Sequence, residues 1–267
     1  MLLPRGSQAI SPTGHYTGYV WVRHGLAPAE LATPEGRVLF HALEPAMRVS
    51  RLLGRPTFEG LLVARHRMLD VLLAGAIDRG EVGQVVEIAA GLSARGWRFK
   101  QRYPVTYVEA DLPGMAARKR KLLERLDGPL PRVETIDALA DDGPHSIHAL
   151  ADTLDPSVGT AIITEGLLNY FDRDAVTGMW RRFAEVLRRF PEGAYFADLV
   201  LQPRSIVERI GAGVLSAVVR GRVHLHFADE SEAAQALRES GFPAAELTRA
   251  GQDDPGARLS HVIDAWT

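Results

Sequence analysis

Gln84-Val85-Val86-Glu87-Ile88-Ala89-Ala90-Gly91-Leu92-Ser93 is the stretch on which the fold turns. Its first half is a short apolar, β-branched run; its second half is dominated by small residues. A buried parallel strand that ends in a tight turn has this make-up, and such a turn lets a ligand approach the backbone closely. Four runs of the same kind follow: Val105-Thr106-Tyr107-Val108-Glu109, Arg132-Val133-Glu134-Thr135-Ile136, Thr160-Ala161-Ile162-Ile163-Thr164 and Ala194-Tyr195-Phe196-Ala197-Asp198-Leu199-Val200. Their separations are those of βα units, so the expectation is a parallel sheet with crossover helices.

The segments between the runs read as helices. From Asp174 to Phe190, the residues Val176, Met179, Trp180, Phe183, Leu187 and Phe190 mostly fall three or four apart, and Pro191-Glu192-Gly193 ends the pattern. Ala117 to Leu126 carries Arg118-Lys119-Arg120-Lys121, read as a solvated helix face with Leu122, Leu123 and Leu126 turned inward. Residues 1–80 form an amino-terminal helical segment ending in a helix from Phe58 to Asp78, and residues 81–267 form the core. An insertion at about 201–228, with an apolar helix Ile206–Val219 and then Arg220-Gly221-Arg222, is expected to cap the carboxyl edge of the sheet. Glu230 to Ser240 reads as a helix. Glu246–Ala250 and Leu259–Trp266 read as an antiparallel pair at one edge, completing seven strands.

Composition narrows the chemistry. The chain has 267 residues, 46% hydrophobic and 24% charged, with a formal net charge of −2. No strong basic field points to nucleic acid or to an anionic membrane. Cysteine is absent, which removes disulfides, thiolate nucleophiles and Cys-ligated metals. Of 31 basic residues only three are lysines, a bias that fits a GC-rich genome. Met1 to Ser7 lacks the apolar core of a signal peptide, and no run is long enough for a spanning helix, so a cytoplasmic enzyme is expected.

In an open parallel sheet the ligand lies beyond the carboxyl ends of the strands. Four consecutive ends carry notable residues: Ala89-Ala90-Gly91 after the first, Asp111-Leu112 after the second, Asp137-Ala138 after the third and Glu165-Gly166 after the fourth. Asp111 lies twenty residues beyond Gly91, an offset that suits hydrogen bonding to ribose hydroxyls. Asp137 is placed to meet an exocyclic amine of adenine. Singly each has a plain alternative, a turn for Gly91 and a helix N-cap for Asp137. Together they describe an adenosine-binding crevice.

These residues resemble a known family. Val85-Val86-Glu87-Ile88-Ala89-Ala90-Gly91-Leu92, Tyr107-Val108-Glu109-Ala110-Asp111-Leu112-Pro113 and Thr164-Glu165-Gly166-Leu167-Leu168-Asn169-Tyr170 are similar to the leucine carboxyl methyltransferase family, which includes polyketide O-methyltransferases of the tetracenomycin type. Arg65-His66-Arg67-Met68-Leu69-Asp70 resembles its arginine-bearing helix. The resemblance implies a doubly wound, mostly parallel seven-stranded sheet of the class I methyltransferase kind and S-adenosyl-L-methionine as cofactor. It implies that Arg65, with Arg67 as competitor, pairs with the cofactor carboxylate. Gly91 then leaves room for the methionine portion with Glu87 nearby, Asp111 beside Leu112 holds the ribose, and Asp137 and Ala138 meet the adenine. Glu165 and Gly166 line the methionine amino group, and Tyr170 faces the acceptor or fills the core. Two departures stand out. The family commonly has Gly at Ala89, a change tolerated if φ stays negative there. It also commonly has Asp and Thr or Ser at Ser93-Ala94, so a polar contact is lost.

The expected reaction is O-methylation of a small-molecule or peptide carboxylate or hydroxyl. A carboxylate needs no general base; for a hydroxyl the candidates are His15, Tyr16 and Tyr19 in the amino-terminal segment and His224 and His226 near the insertion. No metal is expected, and the chain is read as a monomer or a homodimer. Two alternatives remain. A nicotinamide-dependent oxidoreductase of the Rossmann kind lacks support because G-x-G-x-x-G is missing; a non-catalytic S-adenosylmethionine-binding partner protein would fit Ser93-Ala94.

Overall fold

The computed structural model describes residues 12–203, 223–251 and 255–267. The expected helix Ile206–Val219 and Arg220–Arg222 lie outside the described residues.

Three helices come first: α1 (Pro12–Arg23), α2 (Pro34–Leu52) and α3 (Phe58–Asp78). Threonines start the last two: the side chains of Thr33 and Thr57 accept from the N–H of Gly36 and Gly60. The sheet and its crossovers follow as β1 (Gln84–Ile88), α4 (Arg95–Arg102), β2 (Thr106–Asp111), α5 (Pro113–Leu123), β3 (Arg132–Thr135), α6 (Ile147–Ala151), β4 (Thr160–Thr164), α7 (Arg173–Leu187) and β5 (Gly193–Leu199). After the insertion come α8 (Glu230–Glu239), β6 (Ala244–Arg249) and β7 (His261–Trp266). The strand order is β3-β2-β1-β4-β5-β7-β6, with β7 antiparallel to both neighbours and the rest parallel.

The period of two along β1 divides the core. Val86 and Ile88 face a cluster with Trp180, Phe183 and Leu187 of α7, while Val85 faces Leu69 and Leu73 of α3 and Phe99 of α4. Covered on both faces, β1 is buried throughout. A third cluster joins α1–α3 to Leu92, Leu122 and Leu123, so the amino-terminal helices pack onto the loop after β1. The approach is close: a Cβ on Gly18 of α1 would stand 2.9 Å from Leu92.

The terminal antiparallel pair lies at one edge as expected, with β7 inside and β6 outermost. Burial explains this: β7 presents Val262, Ile263 and Ala265 to the core, whereas β6 carries Glu246 and Arg249, charges suited to an unpaired edge. Helix α5 begins at Pro113, four residues before the expected Ala117, because proline suits the first helical turn.

Ile88 pairs with both Ala110 and Thr164, and Thr164 pairs with Ala197. This register brings the residues that follow β1, β2, β4 and β5 to one edge. The chain winds outward from β1 in both directions, so the crevice lies outside β1 and β4.

Candidate active site

The turn after β1 forms one wall. Ala89 has φ +55°, the one positive value on a non-glycine among the described residues, and Gly91 has φ +51°. The condition under which alanine fits there without strain, a negative φ, is therefore not met. The turn requires a left-handed residue directly after the strand, and Ala89 adopts that conformation despite its Cβ. The Gly91 N–H donates to Asp111 Oδ2 and the Leu112 N–H to Oδ1, both at 2.8 Å. Burial raises the Asp111 pKa, and these two backbone donors oppose the shift. Leu112 itself is exposed.

Lys119 corrects the reading of the Arg118–Lys121 face. It is buried, pairs with Glu109 Oε2 at 2.9 Å, and donates to the carbonyls of Ser93 and, at 3.3 Å, Gly91. It thus ties the loop to β2 from beneath. Ser93 is also buried, and its Oγ accepts from the Arg95 N–H at 3.2 Å. The side chain at that position is turned into the loop.

The other wall is a buried ionic network. Arg65 donates from Nε to Glu165 Oε1 at 3.2 Å and from Nη1 to Asp198 Oδ2 at 2.9 Å. Its Nη2 lies beside Gly166, where a Cβ would come within 2.7 Å. Asp198 Oδ1 accepts from the Gly166 N–H at 2.5 Å. Arg67 is exposed, so of the two arginines only Arg65 joins this network. Glu165 Oε2 meets Arg95 Nη2 at 2.7 Å and His66 Nδ1 at 2.8 Å. Burial alone would raise the Glu165 pKa, but His66, Arg95 and Arg65 outweigh it and hold the carboxyl well below its ordinary range. Asp198 goes the other way: burial raises its pKa and Arg65 offsets only part.

Glu87 faces inward. Its two oxygens accept from Arg95 Nη1 at 2.6 Å and the Tyr107 hydroxyl at 2.8 Å. Its geometry supports Arg95 rather than opening toward a ligand.

Tyr170 stands on the short turn Leu168–Tyr170 and is 39% exposed. Its hydroxyl bonds to Thr13 of α1, and burial raises its pKa. Asn169 beside it clamps two chain segments, with its side chain bonded to the backbone of Val200 in both directions and to the His224 carbonyl. Asp137 caps no helix. Its Oδ1 accepts from the Leu139 N–H at 3.0 Å within a turn, and the Ala138 carbonyl accepts from Arg182.

The proton-acceptor candidates in α1 lie within the helical layer. The Tyr16 ring is 2% exposed and stacked between Phe40 and Phe58, and burial pushes its pKa up. Tyr19 packs edge-on against Phe40. His15 is buried with Nδ1 2.9 Å from Thr33 Oγ1 at the start of α2, and burial lowers its pKa. All three build the helical layer. The rings of His224 and His226 stack at 6.0 Å, and His226 Nε2 is bonded to the Phe171 carbonyl. Among the described residues no cluster of three His, Cys, Asp or Glu could hold a metal, and no helix is long and apolar enough to cross a membrane.

A doubly wound sheet with one antiparallel strand next to its last position has the architecture of the class I methyltransferases. Residues 26–184 match the leucine carboxyl methyltransferase family, and the chain belongs to it. A Mycobacterium leprae protein named as a putative S-adenosyl-L-methionine-dependent methyltransferase is 29% identical over 173 residues, 61% of this chain and 56% of its own. The chain spans about half the length of the curated relatives it matches. Among solved structures, a putative methyltransferase from Thermobifida fusca superposes over 99% of this chain and 98% of its own, with TM-score 0.65 and 14% identity. The magnesium protoporphyrin IX methyltransferase of Synechocystis, solved with bound S-adenosylhomocysteine, covers 79% of this chain and 88% of its own at TM-score 0.53 and 15% identity. At these identities the structural likeness speaks for the fold.

Proposed function

We propose that the chain binds S-adenosyl-L-methionine and methylates an oxygen of a small-molecule or peptide acceptor. The observation that carries this reading is the state of Arg65. Two carboxylates hold its Nε and Nη1, while among the described residues Nη2 has no hydrogen-bond acceptor and lies beside the missing side chain of Gly166. A guanidinium fixed on two sides and open on the third is ready for one more carboxylate.

The residues present fit the cofactor. Arg65 would take its carboxylate, Glu165 and Gly166 would border the ammonium, and Gly91 would leave space for the methionine chain. Asp111, already oriented by two backbone donors, would accept from the ribose hydroxyls beside Leu112. Asp137 and Ala138 would meet the adenine edge. When bound, the cofactor supplies a methyl group on a sulfonium, open to in-line attack.

The chain's contribution is positioning and exclusion of water. Tyr170 keeps its proton at neutral pH because its pKa is raised, so it orients an acceptor oxygen as a donor and does not remove a proton. His15 and Tyr16 are engaged in the helical layer. This favours an acceptor ionised before it binds, a carboxylate.

The test is incubation of the full chain with methyl-tritiated cofactor and a panel of carboxylic acids and phenols. Alkali releases methanol from an ester and not from an aryl ether. Base-labile counts support the carboxylate reading, base-stable counts favour a hydroxyl, and cofactor binding without transfer to any acceptor favours a non-catalytic binding protein.

A further inference from the structure

The guanidinium of Arg95 lies at the middle of the buried network and is fully shielded from solvent. Nε donates to Asp70 Oδ1 on α3 at 2.7 Å, Nη1 to Glu87 Oε1 on β1 at 2.6 Å, and Nη2 to Glu165 Oε2 after β4 at 2.7 Å. Its backbone N–H is held by Ser93 in the loop that carries Gly91. One residue thus connects three parts of the fold through its side chain and the loop between them through its backbone.

We propose that Arg95 is the positioning residue for the amino-acid half of the cofactor site. It acts through Glu165 and touches no part of the ligand. Glu165 gives Oε2 to Arg95 and His66 and Oε1 to Arg65. Fixing Oε2 therefore fixes where Oε1 stands, and with it the plane of the Arg65 fork. Asp198 holds the far side of that fork, and Gly166 gives it room. The planar arginine fork can serve Asp70, Glu87 and Glu165 along three directions at once, whereas an ammonium on a flexible stem cannot hold all three in one geometry. Charge is not the point; direction is. The proposal rests on the cofactor reading above, and the two can fail separately.

The adenosine half of the crevice, built on Asp111, Asp137 and Ala138, shares no hydrogen bond with Arg95. This separation gives a readout that a purely structural role would not move. S-adenosylhomocysteine carries the amino-acid portion; 5′-methylthioadenosine lacks it. Binding of both to the full-length chain, titrated calorimetrically, compares Arg95→Lys with the wild type. The expected result is a loss of about tenfold to hundredfold for S-adenosylhomocysteine, the range for removing one charge-assisted contact. Binding of 5′-methylthioadenosine should be unchanged within about threefold, a difference too small to reflect a lost hydrogen bond. Equal losses for both ligands, or no loss for either, would overturn the proposal.

Should Arg95→Lys fail to fold, Asp70→Asn decides the matter. It loosens the α3 end of the same fork, together with the contact of Asp70 with Arg98, at a residue that is partly exposed. It too should weaken S-adenosylhomocysteine selectively, and an unselective effect overturns the proposal. A wild-type chain that binds neither ligand refutes the cofactor reading itself, and this inference with it.

Discussion

Gly91 and Asp111, twenty residues apart, meet at the ends of adjacent strands, where the Gly91 N–H donates to Asp111 Oδ2 at 2.8 Å. One carboxylate thereby braces the turn after β1, and in the proposed reading it also holds the ribose. Asp111→Ala removes both functions. It should weaken binding of S-adenosylhomocysteine by about 1–3 kcal/mol, measured by calorimetric titration, and an unchanged affinity would remove Asp111 from the site.

Ala89 holds a left-handed backbone at φ +55°. Such a conformation costs a non-glycine residue about 1–2 kcal/mol, and glycine recovers that strain while adding chain entropy to the unfolded state. Ala89→Gly should therefore stabilise the protein by about 0.5–1 kcal/mol, raising Tm by about 1–4 °C. A lower Tm would show that the methyl group contributes packing that outweighs the strain.

Lys119 and Glu109 form a buried pair beneath the same loop. Removing one partner leaves the other charge without compensation, so Lys119→Met should destabilise by about 3–5 kcal/mol. Adding Glu109→Gln should recover a substantial part of that loss. In a urea-unfolding cycle the two changes should be non-additive by at least about 1 kcal/mol, and strict additivity would contradict the pairing.

Glu165 links the network to acid stability. His66, Arg95 and Arg65 outweigh the effect of burial and hold its folded-state pKa below the unfolded value. The stability it contributes is therefore complete above about pH 5 and is lost as pH falls toward the folded pKa. Asp198, raised by burial, works in the opposite sense. In Glu165→Gln the denaturation midpoint should be lower than in the wild type at pH 7, and the gap should narrow by pH 3. A gap that widens on acidification would mean that Glu165 is not the depressed carboxyl.

Much of the fold was legible because β1, β2, β4 and β5 are continuous runs of apolar and β-branched residues. Helix α3 matches its expected span, Phe58–Asp78, which Thr57 starts and Gly80 follows. The strand-end residues were legible for the same reason, since a strand's end fixes the edge of the crevice. What was not legible depends on partners far along the chain. Lys119 reads as solvated within its basic run, and its burial is explained only by Glu109 on β2. Arg95 draws on Asp70, Glu87 and Glu165, which no local spacing connects. Tyr16 carries a titratable hydroxyl in the sequence, but its neighbours Phe40 and Phe58 make it a core ring. The backbone angle of Ala89 follows from the turn and not from the residue.

Arg65, held by Glu165 and Asp198, is proposed to receive the carboxylate of S-adenosylmethionine. Calorimetric titration of S-adenosylhomocysteine into the full-length wild type and into Arg65→Lys tests it most directly. The expected result is saturable binding with one site per chain in the wild type, weakened about tenfold to hundredfold by the substitution. A wild type that does not bind, or a variant that binds equally well, would contradict it.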